Sequence, residues 1–126
     1  MRRTMMKINL QAYLKGSIEA VEHYQKAFSA TLGYHVKNED NTYMHAEITL
    51  DGQTIISISE SDEWAISGKN MQFWLTFGDD NEDALKKAYD ILKEDGQILY
   101  PVGPSDWSKC MADVIDKFGV RWYLCV

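Results

Sequence analysis

The sequence predicts an α+β protein built from two copies of a βαβββ unit. Stretches with strand-like alternation and stretches with helical spacing follow one another as strand, helix and three strands, and this order then repeats. The two helical stretches also align about half a chain apart, Glu19-Ala20…Tyr24…Gly33 with Asp83-Ala84…Tyr89…Gly96. Because a repeated unit constrains the architecture strongly, this duplication is the most informative signal in the chain.

The composition is that of one ordinary globular domain. The chain has 126 residues, of which 45% are hydrophobic and 25% charged, enough for a buried core. The net charge of −6 argues against non-specific nucleic-acid binding and against an anionic membrane surface. No apolar run is long enough for a membrane span or a signal-peptide core. We therefore expect a single cytoplasmic domain over residues 1–126, with no nucleic-acid or membrane partner.

The first module covers about residues 7–60 and begins with a strand. Ile8 to Leu14 alternates with period two, so that strand has two different faces. Ser17 is a candidate N-cap for a helix from about Ile18 to Ser29. The helical spacing predicts a buried stripe formed by Ile18, Val21, Tyr24 and Phe28.

A short strand and then a hairpin complete the first module. Tyr34 to Asn38 is the short strand, and Tyr43 to Leu50 alternates again. Asp51-Gly52 is a strong signal for a two-residue hairpin turn, with Gln53 to Ser59 as the partner strand. Residues of about 61–69 are polar and form the linker, whose Trp64 we assign to a lid.

The second module covers about residues 70–126 and repeats the plan. Met71 to Phe77 is its first strand, and Asp79 can cap a helix that carries Glu82 at its third position. Gly96 stands where a glycine commonly ends a helix, and a strand from Gln97 to Val102 follows.

The chain closes on a hairpin. An apolar run from Cys110 to Ile115 and a strand from Val120 to Val126 flank a short loop in which Gly119 can adopt the left-handed conformation. Cys110 and Cys125 lie in these strand patterns, and we expect both to be reduced and packed. A reactive thiol is the alternative, and it would need a positively charged environment.

Three segments carry a family resemblance: SIEAVEHYQKAF in the first helix, YMHAEITLDG in the central hairpin and DWSKCMADVIDKFGVRW at the end. They resemble the vicinal-oxygen-chelate superfamily, the glyoxalase, bleomycin-resistance and dioxygenase group, and its PhnB-like branch in particular. The resemblance implies a curved mixed sheet around a concave pocket, usually in a homodimer. In metal-using members, ligands from the first and last strands of each module hold a divalent ion.

The corresponding positions here carry amides and hydroxyls. They are Gln11 or Asn9 on the first strand, Ser57, Gln72 and Tyr123. Strand parity independently puts these side chains on the face opposite the apolar stripes, which is the pocket side. Tight divalent sites use carboxylates, imidazoles or thiolates, so we expect the inherited metal site to be absent.

Aromatic and charged side chains extend the predicted pocket. Tyr13 and Trp74 have pocket parity, whereas Trp122 has core parity. Trp107 could cap the pocket or a dimer seam. Arg121 could meet an anionic ligand or be a solvated charge at the sheet edge.

The candidate catalytic groups are His45 and Glu47, neighbours on one face of a strand. They could act as a general base with its orienting carboxylate, ligate a displaced metal, or be a polar pair in a wet groove or dimer contact. His23 and His35 are expected at the surface, and turn chemistry accounts for Asp116.

The sequence thus predicts a small-molecule binding protein of this superfamily with no cofactor, a small-molecule ligand and a homodimeric assembly. The alternative is a lyase or isomerase that uses His45 and Glu47 or a non-standard metal site. No phosphate-binding glycine loop or glycine-rich nucleotide-binding turn supports a methyltransferase.

Overall fold

The computed structural model describes residues 8–63 and 70–126. Its first module comprises β1 (Gln11–Leu14), α1 (Ser17–Phe28), β2 (Thr31–Lys37), β3 (Tyr43–Leu50) and β4 (Gln53–Glu60). Its second module comprises β5 (Phe73–Thr76), α2 (Glu82–Leu92), β6 (Gln97–Gly103), β7 (Met111–Ile115) and β8 (Arg121–Cys125). The predicted βαβββ order is therefore present twice. Trp64 lies outside the described residues.

Each module forms one four-stranded mixed sheet, in the orders β1-β4-β3-β2 and β5-β8-β7-β6. The first and last strands of each module pair in parallel, with Gln11 opposite Ser57 and Trp74 opposite Tyr123. The remaining pairs are antiparallel. The predicted α+β class is confirmed.

One hydrophobic core joins the two modules. The helices α1 and α2 contact each other, and both pack on the inner faces of the sheets. Trp122 is fully buried there, as its parity predicts. The side chains that alternate with these core residues lie on the opposite side of each sheet, which we call the open face.

The hairpin turns follow the predictions. Asp51 and Gly52 have φ angles of 53° and 75°, and Gly119 has a φ of 89°. These left-handed values explain why glycine stands at both turns. Cys110 and Cys125 are free and buried.

The start of α1 differs from the prediction. Gly16 is the N-cap and Ser17 is the first helical residue. The Ser17 hydroxyl accepts a hydrogen bond from the Tyr43 backbone at 3.0 Å. The Glu60 carboxylate, at the end of β4, accepts bonds from the backbone amides of Gly16 and Ser17 at 3.1 and 2.8 Å. Because this cap comes from a distant strand, the local pattern did not reveal it.

Two expectations about burial on α1 were also wrong. Ile18 is 39% exposed, and the buried face instead includes Ala20 and Ala27 with Val21, Tyr24 and Phe28. His23 is 7% exposed, so it is an interior residue. Its ring packs edge-on against Phe118, with the centroids 5.6 Å apart. Contact with the second module therefore decides which side of α1 is covered. His35 is exposed, as expected.

Both ends of α2 also differ from the prediction. Asn81, not Asp79, is the N-cap, and the helix begins at Glu82. After the helix the positive φ belongs to Asp95 (55°), so Gly96 is not the left-handed residue. A Cβ at Gly96 would lie 2.4 Å from the Ile115 carbonyl oxygen. Glycine is needed at that position for close backbone approach rather than for helix termination.

Strand limits shift by a few residues. β1 starts at Gln11 rather than Ile8, and β5 starts at Phe73 rather than Met71. β2 starts at Thr31 rather than Tyr34, because Thr31 pairs with Thr49 of the neighbouring strand β3. In the described part of the chain, neither helix has the length and apolar character needed to cross a bilayer.

Candidate functional site

The open face of the first module carries a row of polar side chains across three strands. Ser57 on β4 lies between Gln11 on β1 and Glu47 on β3, its direct partners in the two ladders. Tyr13 is opposite Ser59 in the next row, and the Gln11 amide donates to the Ser59 hydroxyl at 2.7 Å. The parallel pairing thus puts Gln11, rather than Asn9, beside Ser57.

The Ser57 hydroxyl is the unusual group in this row. The residue is 1% exposed, and its Oγ has no hydrogen-bond partner among the described residues. A buried hydroxyl without a partner costs about 1–3 kcal/mol, and each such group calls for an explanation. A ligand polar atom would satisfy it once the neighbouring side chains moved aside, because Ser57 is not accessible in the structure as it stands.

His45 and Glu47 form a hydrogen-bonded pair beside that row. His45 Nε2 lies 2.8 Å from Glu47 Oε2, and the side chains are 30% and 28% exposed. The Tyr34 ring flanks the imidazole, with the centroids 5.9 Å apart. A half-buried imidazole oriented by a carboxylate has the geometry of a general base, and solvent can still reach it.

The open face of the second module is aromatic and apolar. The rings of Trp74 and Tyr123 pack edge to face at 5.0 Å, and Trp107 Nε1 donates to the Tyr123 hydroxyl at 2.6 Å. Trp74 Nε1 donates to the Cys125 thiol at 3.3 Å. Tyr123 and Cys125 also form a small buried cluster with Met111. Such a surface can stack against a planar or apolar part of a ligand.

Arg121 has a carboxylate partner on this face. Its Nε and Nη2 donate to the two carboxylate oxygens of Asp113 at 3.0 and 2.6 Å. Asp113 lies on the neighbouring strand directly opposite Tyr123, and it is therefore diagonal to Arg121, whose own ladder partner is Ile115. A guanidinium paired with a carboxylate attracts anions less strongly than a solvated one. The sequence suggested either an anion-binding residue or a solvated charge at the sheet edge, and neither interpretation anticipated this ion pair.

Gln72 does not share the position of its predicted counterparts. It is exposed and precedes β5, and the ladder places Trp74 beside Tyr123, as Gln11 stands beside Ser57. The first strand of the second module therefore offers an indole at this position, and that side chain cannot ligate a metal.

The divalent metal implied by the superfamily does not fit these residues. Ser57 offers a hydroxyl, and the Tyr123 hydroxyl already accepts the Trp107 indole proton. Among the described residues, no three histidine, cysteine, aspartate or glutamate side chains converge as metal ligands. Because hydroxyl and amide donors are weak ligands, we derive no step through a metal at these positions.

The predicted pocket residues form two groups, one on each sheet. The first contains Gln11, Tyr13 and Ser57 together with the His45–Glu47 pair. The second contains Trp74, Trp107, Arg121 and Tyr123. Sequence reasoning missed Ser59 and Asp113, although the parity of Asp113 with Arg121 across the closing hairpin could have indicated that pair.

Comparison with known proteins supports the fold. No family model and no curated protein matches the chain. A PhnB protein from Bacillus cereus is 26% identical, with a TM-score of 0.79, and the match covers 95% of this chain and 98% of that one. A Pseudomonas aeruginosa protein matches at 20% identity and a TM-score of 0.78, covering 96% and 97% of the two chains.

A third similar structure is the fosfomycin resistance protein FosX from Listeria monocytogenes, in complex with Mn(II) and a dihydroxypropylphosphonic acid. It is 13% identical with a TM-score of 0.71, and the match covers 97% of this chain and 93% of that one. The chain therefore has the glyoxalase-like fold. Its structural neighbours include a PhnB protein and FosX, in line with the resemblance of the sequence motifs to the PhnB-like branch of the vicinal-oxygen-chelate superfamily.

Proposed function

We propose that the protein binds a small molecule on its open faces without a divalent metal. The unsatisfied Ser57 hydroxyl is the observation that carries this proposal, because it is a buried polar group that a ligand would complete. Gln11 and Glu47 on either side add an amide and a carboxylate. This polar group favours a ligand with hydroxyl or amide functions.

The open face of the second module supplies the apolar surface of the proposed ligand site. Trp74 and Trp107 are 65% and 70% exposed although both are tied to neighbours by hydrogen bonds. Rigid exposed indoles bury large area at low entropic cost when a ligand or a partner chain covers them.

The first experiment is native mass spectrometry with metal analysis of the purified full-length chain. We expect a co-purified small molecule and substoichiometric metal, and a divalent-ion series should not raise the melting temperature. A stoichiometric transition metal would overturn the metal-free proposal.

A matched pair of variants then tests the position of the site. Ser57→Ala removes only the hydroxyl and should weaken the retained ligand about tenfold, the loss expected for one hydrogen bond of about 1–1.5 kcal/mol. Ser29→Ala, at the end of α1 on the other side of the sheet, should not change the affinity. Equal binding by both variants would contradict a site at Ser57.

The second candidate function is catalysis by the His45–Glu47 pair, as in a lyase or isomerase. The 2.8 Å contact between Nε2 and Oε2 favours it, because that bond orients the imidazole. With a ligand in hand, His45→Gln should abolish turnover and retain binding if the pair is catalytic. Glu47→Gln should lower the rate and change its pH profile. If binding and any turnover survive both substitutions, the pair is a lining element only.

We further propose a cytoplasmic homodimer. The exposed aromatic residues on the open faces, Tyr13, Trp74 and Trp107, support a partner surface, and two buried free cysteines suit a reducing compartment. Sedimentation equilibrium of the full chain tests the assembly. A monomer at tens of micromolar would contradict it.

A further inference from the structure

The two modules meet along a seam, and one end of this seam is filled by an aromatic ring. There the tip of the β7–β8 hairpin packs on the junction between β1 and α1. The Phe118 ring lies 3.5 Å from the point that a Cβ on Gly16 would occupy. It also packs edge-on against Tyr24, with the centroids 6.0 Å apart, and is 8% exposed. Lys117 and Glu19 form an ion pair at this end, on the rim of a smaller groove of about 290 Å³ that His23 and Ile91 also line.

At the other end of the seam, a hairpin again faces a strand–helix junction, but no aromatic ring like that of Phe118 extends from the hairpin tip. Gly78, between β5 and α2, has a φ of 92°, and Gly16 has a φ of 89° at the matching place. The facing β3–β4 hairpin turns on only Asp51 and Gly52, so it has no counterpart of Phe118. A Cβ on Gly78 would have a single neighbour within 4 Å, the Asn81 amide.

A cavity of about 470 Å³ occupies this second end. Its lining residues come from both modules, and they include Phe28, Leu50 and Asp51 of the first and Trp74, Phe77 and Ala84 of the second. Most of them are apolar, and Asp51 is the one charged side chain among those named. Gln53, Thr76 and Asn81 also line this partly open cavity, so it favours a neutral ligand that combines an apolar ring with a polar group over an anion.

We propose that this seam cavity binds a small neutral aromatic molecule, in the place that Phe118 fills at the opposite end. Apolar cavities of about 150 Å³ admit benzene, so a cavity of this volume has room for a substituted ring. Phe28, Leu75 and Phe77 provide apolar contact, and the rim polar groups can meet one hydroxyl. The seam cavity adjoins the aromatic part of the proposed open-face site through Trp74, whereas Ser57 is not among its lining residues.

The test is ¹⁹F NMR of 4-fluorophenol titrated with the full-length protein. We expect saturable line broadening, and at least tenfold weaker binding of 4-fluorobenzoate because Asp51 repels its carboxylate. Ala84→Phe places a ring in the cavity and should weaken 4-fluorophenol at least tenfold. Lys86→Phe adds the same ring on an exposed part of α2 outside the lining and should leave binding unchanged.

A second cavity variant keeps the test decisive if Ala84→Phe does not fold. Leu50→Phe puts a larger side chain on the opposite wall, which narrows the cavity, and it should likewise weaken the binding of 4-fluorophenol. Binding that is unsaturable, or equal in the wild type and both cavity variants, overturns the proposal. Ser57→Ala should leave 4-fluorophenol binding unchanged, so failure of the open-face site and failure of the seam cavity are distinguishable.

Discussion

The Tyr24 hydroxyl donates a 2.6 Å hydrogen bond to the Asp116 carboxylate, which joins α1 of the first module to the closing hairpin of the second. The same carboxylate accepts bonds from the Trp122 indole at 2.8 Å and from the Phe118 and Val120 amides at 2.9 and 3.0 Å. Burial raises the pKa of Asp116, and these bonds oppose that effect. Asp116 is therefore a turn residue, as expected, and also the polar centre of the shared core.

Asp116→Ala should reduce the free energy of unfolding by about 3 kcal/mol or more, because it leaves several buried donors without an acceptor. Urea denaturation at neutral pH measures the change. Asp106→Ala, at an exposed position in the loop before β7, is the control and should change stability by less than about 0.5 kcal/mol. Similar losses in the two variants would show that the Asp116 contacts are energetically neutral.

Stability should fall as the pH drops below about 6.5, the pKa of an unfolded histidine. Burial lowers the pKa of His23, so the folded state binds the proton more weakly than the unfolded chain. The stabilising effect is complete above that pH and is lost as the pH falls through the folded pKa. The charged groups that act on the imidazole are Asp116, Lys117, Glu94 and Glu19.

His23→Gln isolates this contribution. The difference in unfolding free energy between wild type and variant should change with pH by at most about 1.4 kcal/mol per unit in this window. His35→Gln, at the exposed histidine of β2, is the control. A pH-independent difference for His23→Gln would mean that His23 titrates alike in both states.

Gly96→Ala should destabilise the protein by about 1–3 kcal/mol, since the added methyl must displace backbone. Its Cβ would stand 2.4 Å from the Ile115 oxygen and 3.1 Å from the Asp116 Cα. Gly103→Ala is a matched control because a Cβ there meets nothing within 4 Å. Thermal unfolding should separate the two variants clearly, and coincident curves would contradict the role assigned to Gly96.

Glu60→Ala should cost about 1 kcal/mol, the usual loss for a helix cap. The substitution removes the acceptor of the Gly16 and Ser17 amides and the negative charge at the start of α1. Urea denaturation again gives the change, with exposed Glu63→Ala as the reference. A Glu60→Gln variant should recover part of the loss, because its amide oxygen can still accept one bond.

The alternation of the strands and the spacing of the helices were sufficient to predict the duplicated fold. Period-two patterns such as Tyr43 to Leu50 are local, and so are turn signals such as Asp51-Gly52. The faces of the strands followed from the same parity. The side chains of Ser57 and Tyr123 indeed lie on the other face of their sheets from their chain neighbours Ile56 and Trp122, which belong to the core.

Long-range contacts decided the remainder. The cap on α1 comes from Glu60, 44 residues beyond Gly16, and His23 is buried because Phe118 covers it. Likewise, the ladder partner of Tyr123 is Trp74, and Gln72 precedes β5. Strand parity alone allows either residue and could not determine this register.

The sequence by itself determined the order of the elements, the two sheet faces and the chemistry available on each face, because these depend on residue type and spacing over a few positions. The tertiary structure alone decided that the Ser57 hydroxyl is buried without a partner among the described residues, that Arg121 faces Asp113, and that a cavity of about 470 Å³ lies at the end of the seam away from Phe118. Each of these depends on which distant side chains meet, and a local pattern carries no information about such contacts.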